Sequence, residues 1–153
     1  MKEVRLSVPA HLHAGNPDLT GDLGRIYGTL GFTIDYPRTL VTVRQSKEIE
    51  SKGEDQKNAK RYAQIFFEKF NINGGAEIIV ENSIPKHLGM GSQTALALGI
   101  GMALLKIYGI DDANVEDMAL KLGRGTVTAL GTYGFKLGGL ILDGGFRTDM
   151  KGK

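Results

Sequence analysis

The chain has 153 residues, 41% of them hydrophobic and 24% charged, with a formal net charge of +2. That length suits one domain with a sizeable core, and a small net charge with bases interleaved among acids argues against nucleic acid as a partner. Cysteine is absent, which excludes disulfides, thiolate metal sites and thiol nucleophiles and fits a reducing, cytoplasmic setting. The N-terminus shows no signal-peptide core, and the longest apolar run, 95–108, is too short and too glycine-broken to span a membrane.

Residues 3–10 alternate, with Val4, Leu6 and Val8 against Arg5 and Ser7, and predict a half-buried strand that Pro9 places at an edge or a strand end. Residues 15–25 are rich in turn formers and predict a loop. Two strands are expected at 29–36 and 39–46, joined near Pro37-Arg38, followed by an exposed polar loop over 46–58. Ala59, Tyr62, Ala63, Ile65, Phe66 and Phe70 recur at helical spacing and predict a helix from about 57 to 70, stopped by Asn73-Gly74-Gly75. A strand over 76–83, a glycine loop, a helix from about 92 to 107, a turn at 109–112, a helix over 114–123 and a last strand at 139–143 complete the pattern. It reads as a two-layer α+β domain. No second domain is expected after the last strand.

The most informative stretch is 85–95, Pro-Lys-His-Leu-Gly-Met-Gly-Ser-Gln-Thr-Ala. Gly89 and Gly91 let the backbone bend and approach a ligand, and Ser92 stands where a helix begins. Free N–H groups and the positive end of the helix dipole make phosphate or pyrophosphate the natural guest. Neither a Walker P-loop nor a Rossmann fingerprint fits the spacing. The plain alternative is a strand-to-helix turn with Ser92 as its cap. Segment 9–25 supplies His11 and His13 on one side of a strand, Asp18 and Asp22 in a turn, and Arg25. With His87 the one other histidine, the histidines suit a cleft better than a metal pair. Arg25 reads either as an anion clamp or as a solvated surface residue. In 123–145, Arg124 between two glycines suggests a second anion site with Thr126 and Thr128 as hydroxyl donors, against the bland reading of a glycine-eased turn feeding an apolar strand.

These three clusters resemble the N-terminal domain of the GHMP kinase superfamily, which includes galactokinase and the homoserine, mevalonate and phosphomevalonate kinases. Its loop reads Pro-x-x-x-Gly-Leu-Gly-Ser-Ser-Ala, matched by Pro85, Gly89, Gly91, Ser92 and Ala95, while Gln93 replaces the second serine. The kinases' hydroxyl-activating aspartate falls on Gly131. The chain is more similar to the beta-ribofuranosylaminobenzene 5'-phosphate synthase branch. Pro9, Leu12 and His13, then Asp18, Leu19, Gly21, Leu23, Gly24 and Arg25, then His87, and finally 123–125 and 138–145 carry that likeness. His11 stands where that branch usually has arginine.

The resemblance implies a two-layer fold of the ribosomal-protein domain-2 kind, a mixed sheet with helices on one face. It implies transfer of phosphoribosyl from phosphoribosyl pyrophosphate to 4-hydroxy- or 4-aminobenzoate with loss of carbon dioxide, an early step of methanopterin biosynthesis. The pyrophosphate site is then Gly89, Met90, Gly91, Ser92, Gln93, Thr94 and Arg124, with Mg²⁺ and Ser92 as its protein ligand. His13 and Arg25 are the implied catalytic residues, and His11, Asp18, His87 and Thr126 the substrate contacts. The rival readings are an ATP-dependent small-molecule kinase and a non-catalytic half that binds an anion or a partner chain. The superfamily's usual C-terminal domain is absent here, so the expectation is homo-oligomerisation or pairing with a separate C-terminal half.

Overall fold

A computed structural model describes residues 2–150. Its centre is one long strand, β3 (Thr29–Ser46), because three other strands pair with it. β1 (Glu3–Gly15) runs antiparallel along one side. On the other side β5 (Gly75–Asn82) takes the C-terminal half of β3 and β6 (Leu140–Asp143) takes Thr29–Phe32. β4 (Glu50–Gly53) lies parallel on β5, so the sheet is mixed. β2 (Arg25–Ile26) and β7 (Phe146–Arg147) form a separate ribbon.

Three sequence expectations are corrected. First, 29–36 and 39–46 are not two strands but one. Pro37 is tolerated because the pairing skips from Arg38 to Ile34 opposite Pro9 and Ala10, and β5 and β6 leave residues 33–39 without a ladder. A proline there removes no ladder hydrogen bond. Second, β1 does not end at Pro9; the same register shift absorbs it and the strand continues to Gly15. Third, the expected loop 46–58 contains β4. An edge strand with a wet face needs no apolar alternation, and Lys52 Nζ bonds Glu77 on β5 at 2.7 Å.

The helices lie on one face of the sheet. α1 (Gln56–Lys69) buries Ala59, Tyr62, Ala63, Phe66 and Phe67. α2 (Ser92–Tyr108) is apolar all round and almost wholly buried, and ends on Gly109 in the left-handed conformation, as a chain-reversing cap requires. α3 (Val115–Lys121) is capped by Asn114, which accepts from Asp117 N at 2.8 Å. Val8, Val41, Val43, Ile78 and Val80 of the sheet meet these helices in the core. The opposite face carries ion pairs, Arg5 with Glu81 and Arg44 with Glu3 and Glu77.

A fourth correction is α4 (Leu130–Leu137), where the sequence suggested only a turn running into a strand. Gly131 and Gly134 hide it, since each glycine costs a helix about 1 kcal/mol relative to alanine. Beside α4 and β6 the surface is apolar, with Leu137, Leu140 and Leu142 each about 70% exposed. Among the described residues no helix is long and apolar enough to cross a membrane.

Candidate functional site

The loop between β5 and α2 is shaped by left-handed backbone at His87 (φ 62°), Gly89 (φ 69°) and Gly91 (φ 71°). Left-handed residues alternating along a loop are the backbone pattern of anion-binding nests. Lys86 and His87 form a hydrogen-bonded turn. Among the described residues, the N–H groups of Gly89 through Thr94 donate to no protein backbone acceptor, and the first helical bond is Ala95 N to Gly91 O at 2.9 Å. Ser92 is the first residue of α2 and is buried. Met90 packs its side chain beside Val8, Ala10, Ile84 and Ala95, so it anchors the loop while residues 85–89 stay exposed. His87 is exposed on the loop.

His11 lies directly against this loop. Its backbone N–H donates to Met90 O at 3.2 Å. A Cβ at position 91 would fall 1.9 Å from His11 Cε1, and one at position 131 would fall 3.0 Å from it and 2.8 Å from Thr94 Cγ2. Gly91 and Gly131 are therefore the space in which the imidazole and Thr94 sit. Burial holds the His11 pKa below its ordinary value, and the neighbouring His13 adds to the effect. His11 is accordingly neutral at pH 7, and faces loop and helix α4 without added charge.

His13 is exposed, with Nε2 3.1 Å from Asn16 Oδ1. It lines a cleft of about 430 Å³ with Asn16, Asp18, Tyr27, Thr29 and Thr128 among its walls. Thr29 is 2% exposed and its hydroxyl has no partner among the described residues. Asp18 shapes the wall: one oxygen accepts from Thr20 N and Gly21 N and the other from Leu23 N, at 2.8–3.0 Å. Those hydrogen bonds from Leu23 and Gly21 hold its carboxyl below the usual range. Arg25 sits on the β2–β7 ribbon, where Nε donates to Gly144 O at 2.6 Å and Nη2 to Gly145 O at 2.8 Å. Asp143 holds the same turn, accepting from Ala129 N and Gly145 N. Thr126 is exposed on the turn before α4.

Arg124 reaches inward, not toward solvent. Its Nη1 is 3.5 Å from Tyr62 OH, which donates to Gln93 Oε1 at 3.3 Å. Gln93 Nε2 donates to Asp55 at 2.8 Å, and Lys86 Nζ meets the same carboxylate at 2.6 Å. Asp55, Lys86 and Tyr62 were missed by sequence reasoning. The one signal pointing to them is Gln93 itself, an amide where the kinase loop has a hydroxyl.

The fold thus brings together Gly89, Met90, Gly91, Ser92, Gln93 and Thr94 with His11, and links Arg124 to them through Tyr62. His13 and Asp18 line the neighbouring cleft, and Arg25 is held on the ribbon beside it. Among the described residues no three histidine or acidic side chains converge on a cation position. Mg²⁺ takes few protein ligands when phosphates supply the rest. The donor set, one buried serine hydroxyl, suits an ion that arrives on a pyrophosphate.

Residues 57–139 match the family described as GHMP kinases N terminal domain. The chain is 32% identical over 97% of its length to the beta-ribofuranosylphenol 5'-phosphate synthase of Archaeoglobus fulgidus. It is 28% identical over 92% of its length to the protein of that name in Methanocaldococcus jannaschii. It spans about half the length of these relatives, 47% and 46%. In structure it resembles the homoserine kinase of Cytophaga hutchinsonii, with a TM-score of 0.67 and 20% identity, covering 93% of this chain and 48% of that one. It also resembles the Methanococcus jannaschii mevalonate kinase, with a TM-score of 0.68 and 16% identity, covering 95% of this chain and 55% of that one. The glycine loop before α2, the mixed sheet and these likenesses agree: the chain belongs to the GHMP kinase N-terminal domain family.

Proposed function

We propose that the chain supplies the pyrophosphate-binding half of a synthase that moves a phosphoribosyl group from phosphoribosyl pyrophosphate to a benzoate. The observation that carries this is the row of N–H groups from Gly89 to Thr94 without a backbone acceptor, joined to relatives whose name describes a ribofuranosylphenol phosphate. A phenol product favours 4-hydroxybenzoate over the 4-amino compound. The ring carbon bearing the carboxylate bonds to the ribose anomeric carbon, pyrophosphate leaves with the electron pair of the old bond, and loss of carbon dioxide restores aromaticity.

Each group of the site has a task in that scheme. The loop N–H groups and Ser92 hold the departing pyrophosphate, whose charge Mg²⁺ neutralises when bound. Arg25 fixes the Gly144-Gly145 turn and offers its remaining nitrogen to a phosphate or carboxylate. His13, in the cleft beside the loop, accepts the phenolic proton as the new bond forms and returns it to the oxygen when carbon dioxide leaves. Gly131 supplies no carboxylate to activate a hydroxyl, which sets the ATP-dependent kinase reading second. The remaining wall of the cleft comes from a C-terminal half or from a second copy.

Calorimetry tests the proposal. Phosphoribosyl pyrophosphate with Mg²⁺ binds and ATP with Mg²⁺ does not. Ser92→Ala and Arg25→Ala each weaken binding by about tenfold or more, the scale of one hydrogen bond to a charged group. Unchanged affinity in both variants refutes the assignment, and tight ATP binding favours the kinase.

A further inference from the structure

Asp55 is placed against its own local interest. It stands at the N-cap of α1, where an aspartate ordinarily accepts from a first-turn backbone N–H. Its side chain caps nothing there. Its backbone is also left-handed, at φ 46°, a conformation uncommon outside glycine although aspartate tolerates it better than most residues. Local preferences broken in this way are maintained by tertiary contacts, and they cluster at functional sites.

The contacts are specific. Asp55 Oδ1 accepts from Lys86 Nζ at 2.6 Å and from Asn58 Nδ2 at 2.8 Å, and Oδ2 accepts from Gln93 Nε2 at 2.8 Å. The carboxylate side chain is 5% exposed while that of Lys86 is 42% exposed. Lys86 lies at the start of the anion loop and Gln93 just past its end, in the first turn of α2. Between them lie the three left-handed residues, which leave the loop many alternatives unless its ends are fixed. Gln93 passes the constraint on to Tyr62 and Arg124.

We infer that Asp55 is a positioning residue: by tying Lys86 to Gln93 it clips both ends of the 86–93 loop and holds the N–H groups between them in their anion-receiving arrangement. The ligand part of this inference rests on the pyrophosphate reading above, and the loop-order part does not. Simple electrostatics opposes it usefully, because removing a carboxylate beside an anion site should tighten anion binding.

The experiment uses Asp55→Asn, Lys86→Met and Lys86→Arg, with backbone ¹⁵N order parameters of 87–91 in the free protein and titration with pyrophosphate and Mg²⁺. In the wild type the loop order parameters are those of rigid backbone, ~0.85, and in Asp55→Asn and Lys86→Met they fall below ~0.6, while those in the middle of α2 are unchanged. Lys86→Arg keeps the wild-type order. Asp55→Asn binds pyrophosphate about tenfold more weakly, with its melting transition intact. Loop order unchanged in both Asp55→Asn and Lys86→Met overturns the clip, and so does equal or tighter pyrophosphate binding by Asp55→Asn. Should Asp55→Asn fail to fold, the exposed Lys86→Met variant decides by loop order alone. A wild-type protein that binds no pyrophosphate refutes the functional reading, and the order parameters then judge the clip separately.

Discussion

Replacing Gly91 by alanine puts a methyl group where His11 already is. The new Cβ would lie 1.9 Å from Cε1 and 2.4 Å from Nδ1 of that ring, so the imidazole must leave its seat. Two costs add. Left-handed backbone (φ 71°) costs a residue with a Cβ about 1–2 kcal/mol. Displacing a packed side chain costs about 1–3 kcal/mol more. The total is about 2–5 kcal/mol, or a fall in Tm of roughly 4–20 °C for a chain of this length. Gly89 is the internal control: its φ of 69° is nearly the same, and a Cβ there meets nothing within 4 Å. Gly89→Ala should therefore cost only the backbone share, about 1–2 kcal/mol. Urea unfolding of both variants measures the difference. In a His11→Ala background the two glycine substitutions should become equal, because the collision is gone. Equal costs in the wild-type background, or an excess cost at Gly91 that survives loss of His11, would refute the packing argument.

Three further outcomes follow from the same geometry. The lowered His11 pKa means that its share of stability is complete above the unfolded value near ~6.5 and is lost as pH falls through the folded value. Its imidazole should titrate below ~6.5 by NMR, and His13→Ala should raise that midpoint without fully normalising it, since burial remains. A midpoint unmoved by His13→Ala would sink this account. For Asp55, burial raises the pKa but the hydrogen bonds from Lys86, Gln93 and Asn58 outweigh it, so the loop should keep its backbone order down to about pH 4 and lose it below. Order parameters of 87–91 that have already fallen near pH 6 would contradict this. The apolar strip at Leu137, Leu140 and Leu142 should drive self-association, read by sedimentation and abolished by Leu142→Asp. A wild-type chain that stays monomeric at high concentration would contradict it.

Strong periodicity made some elements legible. Ala59, Tyr62, Ala63 and Phe66 announced α1, and the apolar run after Ser92 announced α2, because each buries a continuous face. The failures have local causes. Pro37 looked like a break between strands because a sequence does not show that the ladders on both sides skip it. α4 was hidden by glycines present to admit His11, Thr94 and Thr33, whose atoms lie within about 3 Å of where their Cβ atoms would be. In the loop before α2, the bend at Gly89 and Gly91 and the helix start at Ser92 were readable because left-handed backbone favours glycine. Asp55 was not, because its partners lie far along the chain and its own neighbours, Glu54 and Gln56, make it look like one more surface charge.

Gly131 has a consequence for what this scaffold can become. A single Gly131→Asp change, the shortest route toward the carboxylate of the kinases, would drive its own Cβ into Thr94 Cγ2 and His11 Cε1. Positions 11, 94 and 131 share one space, so a larger residue at 131 needs room made at the other two. An experimenter wishing to install phosphoryl-transfer chemistry must therefore begin by shrinking His11 and Thr94.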